Sequence, residues 1–249
     1  MQDGAFPFAL NFANTTANAA SGVFGGQSGQ SQCMQNYWIT RPTASEITDQ
    51  IVDIGALSDV VRAYYVKQSN SAVPVVLTGR VANGHSVAIY VEGDVFIKPD
   101  ASGRFGYDTS GWGSANMIPS LYVVAHGNIN ISSNAKSLEG SYIAVPTSDS
   151  SGRINTCTNP ITMQLFTVSA DIVSQCNKQL VIRGTFSAKH INFMRTYGTL
   201  KDAVSKEPIE SSKAAELFVY NIENMLATQP TRGISRYTYD SITALPPSL

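Results

Sequence analysis

Between residues 73 and 197, apolar and polar side chains alternate about a recurrent glycine. Five segments superpose on it: 75–81 about Gly79, 89–97 about Gly93, 123–131 about Gly127, 138–142 about Gly140 and 180–186 about Gly184. In the third, Val123, Ala125, Ile129 and Ile131 fall on one face, and His126, Asn128 and Asn130 on the other. This period of two is the signature of half-buried strands. It puts the glycine on the inward line, where a neighbouring backbone can approach closely or the strand can bend. Repeated short strands of this kind predict an all-β, irregular parallel β-solenoid with small helical or loop additions, in which successive coils bury one continuous core. The alternative is a β-sandwich or meander, which also gives alternating strands separated by turns. The solenoid is preferred because the glycine keeps its place in all five copies. Glycine intervals of 14, 34, 13 and 44 residues make the repeat irregular, with insertions at 98–117 and 146–177.

The flanks differ from this body. Thr43-Ala44-Ser45-Glu46 resembles a helix capping box, and Ile47, Ile51 and Ile54 follow at helical spacing, so a short helix is expected there. Residues 1–36 read as a flexible low-complexity segment, although Phe6, Phe8, Leu10 and Phe12 alternate as an edge strand would. Residues 37–198 form the β-solenoid body. Residues 199–249 read as a C-terminal capping region, helical or looped at first, with 217–226 a strand or a helical cap over the last coil.

Composition narrows the function. Of 249 residues 43% are hydrophobic but only 14% charged, and the net charge is −1. Typical domains carry roughly 25% charged residues. Without a concentrated positive surface the chain is no nucleic-acid binder, and it has no polybasic handle for a membrane. No apolar run is long enough to insert into a bilayer. Asp3 is the sole acid or base in residues 1–36, whereas residues 199–249 hold eleven. The opening Met1-Gln2-Asp3 lacks the basic and apolar regions of a secretory signal, so the chain reads as cytosolic or as a fragment of a longer exported protein. Cys157 and Cys176 enclose 18 residues, and a bridge closing such a loop would stabilise by about 3 kcal/mol. Three reduced thiols, Cys33 included, are the alternative. Cys/His spacing for a metal is absent, no cofactor fingerprint occurs, and the sequons at Asn14 and Asn130 are too short to carry weight.

Several stretches carry a resemblance: Cys33-Met34-Gln35-Asn36-Tyr37-Trp38 before Pro42, residues 118–131, Leu138-Glu139-Gly140-Ser141-Tyr142-Ile143-Ala144-Val145 followed by Gly152-Arg153-Ile154-Asn155-Thr156-Cys157, and residues 180–197. In this order, over residues 30–230, the chain resembles uncharacterised exported or surface β-rich proteins of Saccharibacteria-like, candidate-phyla bacteria. The resemblance implies an extracellular or envelope-anchored protein and favours the Cys157–Cys176 disulfide. It implies no activity.

Candidates for chemistry are few. Glu92 and Asp94, two apart on a strand, would share a face about 7 Å apart. With Asp108, near Asp100 and Arg104, and with the outward Arg183, they are the carboxylates a carbohydrate-active enzyme on a β-helix scaffold would use. Exposed carboxylates of this kind are far more often merely solvated. His126 falls on an outward strand position and His190 at a corner. Tyr107 and Trp112, beside Gly111 and Gly113, suggest an exposed aromatic loop able to meet a sugar ring or another partner. The leading expectation is a non-enzymatic cell-surface structural or adhesive domain contacting a partner cell, a polysaccharide or surface protein, or a neighbouring subunit. A polysaccharide lyase or hydrolase, and a self-assembling surface filament subunit, are the alternatives.

Overall fold

The computed structural model describes residues 45–57, 63–70, 72–197, 214–221 and 223. The protein is mainly β, with parallel sheets curled into a half-barrel. In chain order the strands are β1 (Ser45–Ile47), β2 (Ile51–Asp53), β3 (Ala63–Lys67), β4 (Val75–Thr78), β5 (Arg80–Val81), β6 (Ser86–Glu92), β7 (Val95–Ile97) and β8 (Arg104–Tyr107). There follow β9 (Ser120–Ala125), β10 (Ile129–Ser132), β11 (Ser137–Ala144), β12 (Arg153–Thr158), β13 (Leu180–Ala188), β14 (His190–Asn192) and β15 (Glu216–Val219). One sheet runs β1-β3-β6-β9-β11-β13-β15, with β8 beside β11 and β5 beside β8; the other runs β14-β12-β10-β7-β4-β2. The chain therefore crosses from one sheet to the other and back, and each return lands beside the strand laid down before it. Every described ladder is parallel, unlike the antiparallel neighbours of a sandwich or meander.

Alternation builds the core. Val87, Ile89 and Val91 of β6, Leu121, Val123 and Ala125 of β9, and Ile129 and Ile131 of β10 point into one apolar cluster lined by both sheets. The opposite face of the first sheet carries a second buried cluster, with Ala88, Tyr90, Val124 and Ile143. That second face explains why β6 is buried at six consecutive positions. On the second sheet Asn130, Asn155 and Asn192 stand in register. Asn192 Nδ2 donates to Asn155 Oδ1 at 2.6 Å, and Asn155 Nδ2 to Asn130 Oδ1 at 2.7 Å. This ladder satisfies amides that burial would otherwise strand, Asn155 being only 3% exposed. It also engages the side chain of the second sequon.

Three expectations change. The helix expected from Thr43 to Ile54 is β1, β2 and a 3-10 turn, Ile54–Ala56, in its described part. Parallel pairing of Ile47 with Val66 and of Val52 with Leu77 overrides the helical spacing. Val52 and Ile54 turn inwards, while Ile51 is 67% exposed. Next, the five glycines do not share one register. Gly140 and Gly184 pair across β11 and β13 on the inward line, as expected. Gly93 and Gly127 instead stack at a corner between the sheets, and Gly79 sits against Asp53. Local pattern marks each glycine as special but does not say which strand lies beside it. Finally, the insertion at 146–177 contains β12, a full member of the second sheet, followed by a short helix, Ser169–Gln175; that at 98–117 contains β8.

Residues 1–36, with Cys33 and the Phe6–Phe12 alternation, lie outside the described residues. Of the C-terminal region, 217–219 belong to β15, a strand rather than a helical cap, which extends the first sheet beyond β13.

The Gly140–Gly184 pair gives a packing test. A Cβ on Gly184 would lie 1.8 Å from the Gly140 carbonyl oxygen, at φ +155°. Gly184→Ala must push the backbones of β11 and β13 apart, a loss of about 1–3 kcal/mol readable as a lower urea midpoint. Gly113→Ala, with nothing among the described residues within 4 Å of the new methyl, is the control that leaves the midpoint in place.

Candidate functional site

The most concentrated chemistry lies on the outer face of the first sheet. Registers place Arg80 of β5 beside Gly106 of β8, and Glu139 of β11 beside Arg183 of β13. Because Leu138 pairs with Phe105, Gly106 and Glu139 are also neighbours, so Arg80, Gly106, Glu139 and Arg183 form one row across four strands. Arg104 stands one row away, opposite Ser137. Alternation explains the outward set: Phe105, Tyr107, Val81, Leu138 and Ile182 fill the core and leave the intervening positions facing out.

A turn at Asp100 starts β8. Its Oδ1 accepts from the Ser102 N–H at 2.8 Å, the Ser102 hydroxyl at 2.6 Å and the Arg104 N–H at 3.0 Å. Burial works to raise the Asp100 pKa, but these bonds and the Arg80 charge outweigh it and hold the carboxyl below its ordinary value. Arg80 Nε lies 3.4 Å from Asp100 Oδ2, and Arg80 Nη1 donates to Asp108 Oδ1 at 2.7 Å. Arg104 Nη1 is 3.4 Å from Asp108 Oδ1, and its Nη2 4.0 Å from Glu139 Oε1. Glu139 is 1% exposed. The Ser137 hydroxyl donates to its Oε1, whereas Oε2 has no hydrogen-bond partner among the described residues. Burial pushes the Glu139 pKa up, against the Ser137 hydrogen bond and the charges of Arg104, Arg183 and Arg80.

A folded pKa above the unfolded value means that the native state holds this proton more tightly. The resulting stability is complete below the unfolded pKa, near 4.5, and is lost as pH rises through the folded one. Glu139→Gln removes the titration. Urea unfolding at a series of pH values is therefore expected to show the wild type losing stability relative to this variant as pH rises from 4 through the raised pKa. A pH-independent difference would contradict the burial.

The expected carboxylates do not converge. Glu92 ends β6 and accepts from the Tyr65 hydroxyl. Asp94 lies beyond Gly93 in the corner, where its Oδ1 accepts from the Asn128 N–H at 2.7 Å and its own N–H donates to Gln68 Oε1 at 2.9 Å. They are divided by the corner at Gly93 rather than sharing a strand face: Glu92 ends β6 in the first sheet and Asp94 precedes β7 in the second. Of the three candidates Asp108 alone joins the charged row, with Asp100, Arg104 and Arg183 as the sequence suggested. Arg80 and Glu139 were missed, though each falls on an outward position beside a marked glycine.

Tyr107 corrects the aromatic-loop expectation. It points inward from β8, is 0% exposed, and its hydroxyl accepts from Asn221 Nδ2 at 2.9 Å. Burial, then the Glu139 charge, holds its phenol well above the usual pKa. It cannot stack on an external partner. Trp112 is half-buried, with an indole N–H that has no hydrogen-bond partner among the described residues. His126 is half-buried on the outer face, and burial lowers its pKa against the pull of Glu92. His190 follows the corner between β13 and β14. Cys157 and Cys176 form a disulfide with a Cα separation of 5.9 Å.

Sequence reading also missed Arg195, 6% exposed. Its guanidinium donates to the carbonyls of Thr156 at 2.9 Å, Ser132 at 2.9 Å and Ser133 at 3.3 Å. Among the described residues no group of three or more His, Cys, Asp or Glu is placed to hold a metal ion. No helix among them is long and apolar enough to cross a membrane. Comparison with protein-family models, with curated proteins and with solved structures finds no match to the chain.

Proposed function

We propose that the chain is a non-enzymatic β-solenoid domain of an extracellular or cell-envelope surface protein, of the kind it resembles in Saccharibacteria-like bacteria. Its role is structural and adhesive: a stiff, nearly neutral body that presents its outer faces to a polysaccharide, a surface protein or a neighbouring subunit. The reading of the fold as a solenoid rests on the two parallel sheets, in each of which spatial order follows chain order, with one apolar core between them. The disulfide suits an oxidising compartment. The observation that carries the non-enzymatic reading is that Glu92, Asp94 and Asp108 are each engaged in structural bonds with different partners. Acid–base chemistry needs two such groups and a substrate between them.

The test combines binding with turnover. The protein is incubated with insoluble acidic and neutral polysaccharides, then sedimented, and the supernatant is assayed for new reducing ends and unsaturated uronates. Co-sedimentation without product is expected. Product release that exceeds the buffer control and disappears in Asp108→Asn would overturn the reading in favour of a lyase or hydrolase.

A further inference from the structure

The charged row has features that structural ion pairing leaves unexplained. Glu139 is buried, yet its Oε2 lacks a partner among the described residues, a costly state for a carboxylate. Arg183, its neighbour in register, forms no ion pair among the described residues, whereas Arg80 and Arg104 are taken up by Asp100 and Asp108. Three guanidinium groups thus stand over two aspartates and a carboxyl whose charged form burial disfavours. The groups around the row are partly accessible: the Arg80, Arg104 and Asp108 side chains are 36%, 33% and 50% exposed, and Arg183 is half-buried, while Glu139 lies under cover. Beside it the Thr185 hydroxyl, on an exposed residue of β13, donates to Ser141 at 3.0 Å. This is a neutral, hydroxyl-bearing surface next to one unmatched cation.

We propose that the Glu139–Arg183 row is a binding site for a carboxylate-bearing sugar of an acidic polysaccharide. The Arg183 guanidinium pairs with the sugar carboxylate. Glu139 Oε2 takes a ring hydroxyl once the half-buried Arg104 side chain moves aside, and the Ser141–Thr185 pair meets the next ring. A polysaccharide fits better than an acidic peptide. Peptides commonly gain affinity by adding a strand to a free sheet edge, but β11 lies between β9 or β8 on one side and β13 on the other, and β13 between β11 and β15. Only side chains are on offer. This site rests on the adhesive reading above and names its ligand.

Isothermal titration at pH 6 with a defined oligogalacturonate tests it, alongside an uncharged oligogalactoside and poly-glutamate. The full chain should bind the uronate saturably, with affinity falling as salt rises, and should ignore the other two. Arg183→Ala should weaken binding by about tenfold or more, the loss of one charge-assisted pair. Thr185→Glu, an exposed change beside the row, supplies a second variant should the first fail to fold, and should weaken binding through charge repulsion. Absence of uronate binding, equal binding of poly-glutamate, or affinity unchanged in a folded Arg183→Ala or Thr185→Glu protein would overturn the proposal. Co-sedimentation with polysaccharide that survives in these variants would overturn this site and leave the adhesive reading standing. Arg183-dependent binding accompanied by cleavage would support the site and overturn the non-enzymatic reading.

Discussion

Arg195→Met is expected to destabilise the protein by about 3–5 kcal/mol, the range for breaking a buried charged network by removing one member. The guanidinium bonds three carbonyls, contributed by the middle of β12, the end of β10 and the residue after β10. The Arg195 N–H donates to Glu216 Oε1, which also accepts from the Thr156 hydroxyl. One residue thus ties the second sheet to β15 of the first. Methionine fills similar volume but leaves carbonyls short of a donor and a carboxylate short of a nearby cation. Burial lowers the Arg195 pKa to about 10, so the group stays charged throughout the neutral range and the loss should not vary between pH 6 and 8. Equilibrium urea unfolding measures it. Arg195→Lys, which keeps the charge but not the fork, should fall between the two. A change below 1 kcal/mol in the methionine variant would mean that water replaces the guanidinium at little cost.

Opening the Cys157–Cys176 bridge should cost about 3 kcal/mol, by the closure entropy of so short a loop. For a chain of this size that is a fall of roughly 6–12 °C in Tm. The bridge joins β12 to the residue after the short helix, Ser169–Gln175, and both cysteines are fully buried. Thermal unfolding with and without reductant gives the shift, and Cys176→Ser should reproduce it. Thiol titration in denaturant without reductant should count one free thiol per chain, that of Cys33. A count of three would remove the bridge and the argument for an oxidising compartment with it.

The sequence carried different parts of the molecule unequally. The in-out alternation of Val123 to Ile131 is local, and the structure places those four apolar side chains in the core as the pattern requires. The inward glycines at 140 and 184 were legible for the same reason. The helix expected near Ile47, Ile51 and Ile54 failed because three isoleucines at mixed spacing fit either period, and parallel pairing chose the strand. Tyr107 failed because Gly111-Trp112-Gly113 drew it into a loop, while its own alternation with Phe105 pointed inward. The charged row was half legible. Asp108, Asp100, Arg104 and Arg183 could be suspected as outward groups, but Arg80 and Glu139 join them only because strands 25 or more residues apart in sequence lie side by side.

From the chain alone came the strand period, the scarcity of charge and the cysteine pair able to close a short loop. These are properties of neighbours in sequence or of bulk composition. Tertiary structure alone decided the remainder: the asparagine ladder, the corner stack of Gly93 and Gly127, the Arg195 clamp and the row that surrounds Glu139. Each depends on which strand lies beside which. In a parallel ladder that pairing is set by the length of every intervening turn and by packing across the whole core, so no local stretch of residues encodes it.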